Sequence, residues 1–161
     1  MNHKAGGDYT EKFKVKEVDP DNRQQTVSDE YEITGWTGFK FEGRGDTYSD
    51  FKWHWYHFTG TDYNEENKKN AIYRIIGENK YWSEGVDDEN GNYDYLLCND
   101  IDLQHPDIVK SLNHWGVWVS NELNLDGMRL DAIKHMDDNF IKQFLEVVRL
   151  DRGRSFYAVG E

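Results

Sequence analysis

The chain has 161 residues, a formal net charge of −12, and a composition that is 37% hydrophobic and 15% aromatic. That charge argues against nucleic acid, whose phosphates it would repel, and against an anionic membrane surface. No apolar run approaches the ~18 residues of a membrane-spanning helix. The single cysteine, Cys98, excludes an internal disulfide and reads as a buried structural thiol; a secreted or a cytoplasmic compartment both stay open, the lone thiol leaning slightly to the cytoplasmic. The stretch to about Tyr31 is polar and charge-rich, with a turn at Asp19-Pro20-Asp21. From Tyr31 to Phe58 the pattern turns to β: Phe39 and Phe41 alternate with Lys40 and Glu42, and Phe51, Trp53 and Trp55 with Lys52 and His54. Thr59 to Asn70 reads as a polar loop, Ile72 to Ile76 as a short strand, and Gly77 to Asn92 as acidic and turn-rich.

After Asp102 the period lengthens. His105-Pro-Asp opens a helix, with Pro106 suited to its first turn and Asp107 favoured there by the dipole. Ile108, Leu112, Trp115 and Val119 form its apolar stripe. Leu125 to Asp131 is a strand, and Asp137-Asp138 caps a helix carrying Phe140, Ile141, Phe144, Leu145 and Val148 on one face. Phe156 to Gly160 is the next strand. This helix–strand–helix–strand order predicts a parallel α/β segment preceded by a β-rich region.

Chemistry concentrates in Gly127-Met-Arg-Leu-Asp-Ala-Ile-Lys-His135 and in the strand that ends at Glu161. Arg129 and Asp131 are two apart on a strand, so they share a face, and the guanidinium would hold the carboxylate ionised. On its own, an Arg-x-Asp pair is more often a structural ion pair. Two carboxylates at the tips of neighbouring parallel strands are also the apparatus of glycoside hydrolysis. Asp94, Asp100 and Asp102, with Asn92 and Asn99, offer oxygen ligands suited to a hard cation, although acidic loops are usually only solvated.

Four motifs in order resemble the α-amylase family of glycoside hydrolases. They are Met1 to Asp8, Gly43 to Phe58, Leu97 to Asp107 and Gly127 to His135, the last with Met128 where the usual form has Phe. Gly43 to Phe58 and Asn90-Gly-Asn-Tyr-Asp-Tyr95 resemble the bacterial liquefying subgroup in particular. The resemblance implies part of a (β/α)8 TIM barrel, from the end of strand 3 to the end of strand 5, with an inserted β-rich domain B. On this expectation residues 1–4 end barrel strand 3, 5–104 are domain B with calcium-binding loops, and 105–161 are barrel. A complete barrel typically needs ~250 residues, so the chain reads as a fragment, monomeric when complete and inactive alone without the family's third carboxylate.

The implied function is retaining endo-hydrolysis of α-1,4 bonds in a starch- or glycogen-type glucan. Asp131 would be the nucleophile, Glu161 the acid/base and Arg129 the partner that keeps Asp131 charged, while His3, Lys134 and His135 would bind sugar hydroxyls. The implied calcium ligands are Asn2, Asp94, Asp100 and the carbonyl of His135. Thr59, Ser83 and Gln104 stand where the liquefying subgroup usually has Asp, so a single tightly held calcium is expected. The alternatives are a maltooligosaccharide-forming or transglycosylating relative, and a non-catalytic calcium-dependent glycan-binding module.

Overall fold

A computed structural model describes residues 2–161. Six strands form one sheet in the order β1-β6-β4-β5-β2-β3, and every pairing in it is antiparallel. They are β1 (His3–Lys4), β2 (Tyr9–Glu17), β3 (Tyr31–Gly38), β4 (Phe58–Asn64), β5 (Lys69–Ile75) and β6 (Asn99–Ile101). The chain then runs through α1 (Pro106–Glu122), β7 (Gly127–Leu130), α2 (Asp138–Arg152) and β8 (Tyr157–Gly160). β7 and β8 pair in parallel, as the βαβ pattern predicts. Among the described residues the barrel expectation thus reduces to one two-stranded parallel unit beside an antiparallel sheet.

Three sequence expectations give way. The charge-rich start contains the nine-residue strand β2, in which Phe13 and Val15 are buried between Lys12, Lys14 and Lys16. Two apolar positions suffice there because the lysines all point to the other face. The supposed loop from Thr59 to Asn70 is the β4–β5 hairpin, whose Thr59 and Thr61 hydroxyls are buried and hydrogen-bonded to Asp100 and Asn99. Conversely, the alternating aromatics from Phe39 to Trp55 are not strands. Phe41 adopts φ 52°, a 3-10 turn follows at Glu42–Arg44, and Gly45 sits at φ 57°. Those turns break any ladder, so the rings pack on one another, Trp53 lying 5.4 Å from Phe58 at an interplanar angle of 17°.

His3–Lys4, expected at the end of a parallel barrel strand, instead pairs with Asn99–Asp100 at the edge of the antiparallel sheet. Its backbone groups find their ladder there. Cys98 is half-buried and donates its backbone N–H to Asp62 at 3.0 Å.

The helices form as their caps dictate. The His105 side chain accepts from Asp107 N–H, Pro106 takes the first turn, and Asp137 accepts from Phe140 N–H. Phe140, Phe144 and Val148 are the buried face of α2. On α1 that face is Ile108, Gly116 and Ser120, which leaves Trp115 and Trp118 about half exposed. A Cβ at Gly116 would lie 2.4 Å from the Phe144 ring, so the glycine sets how closely the helices approach. One continuous buried cluster runs from Phe13, Ile33, Phe58 and Tyr73 through Leu103 and Ile108 to Leu130, Phe144 and Phe156. Each such side chain contributes ~1.5–3 kcal/mol, which joins sheet and βαβ unit into one body.

Candidate active site and cation site

β7 and β8 are in register, Arg129 opposite Val159 and Leu130 opposite Gly160. Asp131 and Glu161 therefore leave the two strands side by side at their C-terminal ends. Arg129 reaches both: its Nη2 is 3.6 Å from Asp131 Oδ1 and makes a direct ion pair with Glu161. All three side chains are more than half exposed, so the pairing stabilises the fold little and serves mainly to orient the carboxylates. Ala132, at φ 57°, turns the chain sharply after Asp131 into the 3-10 turn Ile133–His135.

That turn carries two more of the expected residues. Lys134 Nζ lies 2.9 Å from Glu89 and 4.6 Å above the Tyr93 ring. The Glu89 hydrogen bond raises its pKa above the ordinary lysine value. His135 is buried, its Nδ1 2.7 Å from the Tyr93 carbonyl and its ring edge-on to Tyr93 at 4.2 Å. His3, exposed at the sheet edge, sits with Nδ1 3.3 Å from Asn2 Oδ1.

The expected metal ligands converge. Asn2 Nδ2 lies 3.1 Å from the Asp94 carbonyl, 3.1 Å from Asp100 Oδ1 and 2.7 Å from the His135 carbonyl. With a cation bound, a half-turn of the amide would set its oxygen among those three. The result is an all-oxygen cage that a hard cation suits and no proton donor inside it does. Electrostatics agrees. Asp94, Asp100, Asp102 and Asp137 are all buried. Burial first, then the charges of Asp102 and Asp137, push the Asp94 carboxyl up to about 7 against the pull of the Ser83 N–H. Burial and the neighbouring Asp94 raise Asp100 well above the carboxylate range. Such groups either hold protons or hold a cation. The residues present therefore fit calcium.

Around them stand the neutral side chains singled out in the sequence, each donating to a carboxylate. Thr59 Oγ1 donates to Asp100 at 2.5 Å, Ser83 Oγ to Asp137 at 2.6 Å, and Gln104 Nε2 approaches Asp137 at 3.4 Å. Sequence reasoning missed the roles of Lys80, Glu89 and Tyr93, and saw Asp137 as a helix cap but not as a member of the carboxylate cluster. A lone lysine in a polar stretch carries no signal until its burial is known.

A second possible metal group fails. Ligand atoms of His57, His105 and Asp107 lie within 4.8 Å of one another. Yet His57 Nδ1 accepts from His54 N–H at 3.0 Å and His105 Nδ1 from Asp107 N–H at 3.3 Å. Neutral rings so bonded carry their proton on Nε2, which then donates and cannot ligate.

No family model matches the chain. Among curated proteins it is 50% identical over 161 residues to an α-amylase of Bacillus licheniformis. It is 49% identical over 162 residues to a glucan 1,4-alpha-maltohexaosidase of Bacillus sp. (strain 707), and 34% identical over 163 residues to a cytoplasmic α-amylase of Escherichia coli (strain K12). Each match covers all of this chain but only 31%, 31% and 33% of the respective relative, so the chain spans about a third of their length.

Proposed function

Since this chain belongs to the α-amylase family of glycoside hydrolases, we propose that the protein it forms part of cleaves α-1,4 bonds within starch- or glycogen-type glucans, with retention of configuration. The observation that carries the reading is the in-register parallel pair β7–β8, from whose tips Asp131 and Glu161 emerge around one arginine. Paired carboxylates on neighbouring strand ends of a (β/α)8 barrel are the arrangement retaining glycosidases use. We take β7–α2–β8 as part of such a barrel and the antiparallel sheet as a domain inserted into it.

Asp131 attacks the anomeric carbon while Glu161 protonates the departing glycosidic oxygen. Glu161 then takes a proton from the incoming water, which releases the sugar from Asp131. Arg129 holds both carboxylates in position. His3, at the sheet edge, and Lys134 and His135, on the turn that follows Asp131, would bind sugar hydroxyls. Asn2, Asp94, Asp100 and the His135 carbonyl would hold calcium, which when bound would supply fixed positive charge between the sheet and the turn after Asp131. The similarity to a maltohexaosidase favours a second reading, one that keeps this chemistry and differs only in product length.

The test is Asp131→Asn in the full gene product. Turnover of starch should fall by orders of magnitude while maltooligosaccharide binding is nearly unchanged, because the amide keeps the shape and removes the nucleophile. Retained turnover would refute the assignment.

A further inference from the structure

A buried ammonium stands inside the carboxylate cluster, and neither the catalytic rim nor the calcium ligands account for it. Lys80 is 7% exposed, its Nζ lies 2.5 Å from Asp102 Oδ2, and it also donates to the Tyr56 carbonyl. Lysine is almost never buried without a partner, because desolvating the ion costs several kcal/mol. The partners here are a carboxylate and a backbone carbonyl, the oxygen ligands a hard metal ion takes.

Of the four carboxylates Lys80 touches Asp102 alone. On Asp102 and Asp137 every carboxylate oxygen has a protein donor. Asp102 Oδ2 receives Lys80, and Oδ1 the Gln104 N–H at 3.1 Å. Asp137 Oδ1 receives the Phe140 N–H at 2.9 Å, and Oδ2 the Ser83 hydroxyl at 2.6 Å. Asp137, Asp100 and Asp94 are supplied by neutral donors alone. Asp100 receives the Thr59 hydroxyl and the Asn2 amide, and Asp94 the Ser83 N–H at 2.8 Å. Among the described residues, Lys80 is the one ammonium or guanidinium paired with any of the four buried carboxylates.

We propose that Lys80 is the cluster's own second cation: its ammonium closes the Asp102 end to metal, and the cluster as a whole takes up one divalent ion. The inference rests on the calcium reading above and its single expected ion, and adds the residue that closes the Asp102 end. Four carboxylates against one ammonium and one divalent ion leave a single net negative charge, which the hydroxyl, amide and N–H donors can carry. Removing the ammonium leaves two uncompensated charges and an oxygen-lined vacancy at Asp102 and the Tyr56 carbonyl, and site affinity follows ligand charge.

The test counts ions in the intact gene product by elemental analysis after exchange into metal-free buffer, and by calcium titration with thermal melting as readout. Wild type should retain one calcium per chain and show one saturable rise in Tm. Lys80→Met, which keeps length and loses charge, should melt lower and show a second rise at millimolar calcium. Lys80→Arg should hold the count at one. Two ions retained by wild type would overturn the proposal, as would a folded Lys80→Met whose titration stays in one step. Should Lys80→Met not fold, the counts for wild type and Lys80→Arg still decide, two in either being the overturning result. No retained ion in wild type would instead sink the calcium reading itself.

Discussion

His57 gives the sharpest link between packing and a number. The ring is 3% exposed and lies among Phe51 at 4.9 Å, Tyr56 at 4.4 Å and His105 at 5.0 Å. Its Nδ1 accepts the His54 N–H at 3.0 Å, so a proton added there would set donor against donor. Burial first, then the charges of His105, His54 and Lys80, push its pKa from 6.5 to about 3. The folded state therefore refuses a proton that the unfolded chain accepts. Stability from this group is complete above about pH 6.5 and falls as pH drops from there toward 3, by ~1.4 kcal/mol per unit. At pH 5 the loss is about 2 kcal/mol. Urea unfolding of the intact gene product at pH 7 and pH 5 measures it. On the proposed calcium site, saturating calcium would keep Asp94 and Asp100 ionised throughout, so their opposite pH dependence would not intrude. His57→Gln, which can still accept from the His54 N–H, should lose about 2 kcal/mol less than wild type between the two pH values. Equal losses, or a His57 ring signal titrating near 6.5 by NMR, would refute the argument.

Three further outcomes follow from the site and the core. Glu161→Gln should cripple hydrolysis of starch but much less that of an activated aryl glycoside whose leaving group needs no proton, and equal losses on both would contradict its role as acid. Chelation of the intact gene product should lower Tm and added calcium restore it, by ~4 kcal/mol for a free concentration a thousandfold above Kd; an unchanged Tm would show that the oxygen cage holds no ion. Phe144→Ala, at a fully buried side chain against Gly116, should cost ~3–5 kcal/mol in chemical denaturation, and a loss under 1 kcal/mol would mean that α1 and α2 do not pack as described.

What the sequence revealed depended on how local the cause was. Both helices were legible because their period and caps, Pro106, Asp107 and Asp137, lie within a few residues of the turns they control. Asp131 and Glu161 were legible because each ends a short apolar strand, and two such strands flanking one helix pair in parallel. β2 was not, since its core face is only Phe13 and Val15 in a run of lysines, and its place in the sheet is fixed by β3 and β5. The aromatic run after Phe39 misled because alternation in sequence does not require alternation in space once Phe41 and Gly45 turn the chain. The Lys80–Asp102 pair was invisible for a related reason, because each residue is ordinary in its own segment and unusual only where the two meet.

The turn Ile133–His135 faces both ways. The Lys134 carbonyl receives the Asp87 N–H at 2.9 Å, and the His135 carbonyl receives Asn2 at 2.7 Å. It follows directly on the Asp131–Ala132 bend. The clasp of the molecule and its cutting edge are thus neighbouring but separate parts. On the calcium reading, an ion that never meets the sugar would fix the shelf life of the geometry that does, and operating temperature would become a property of the seam. Substitutions at Thr59, Lys80, Ser83 or Gln104 could move an enzyme of this kind toward hotter or colder surroundings while the bond it breaks, and the way it breaks it, stay the same.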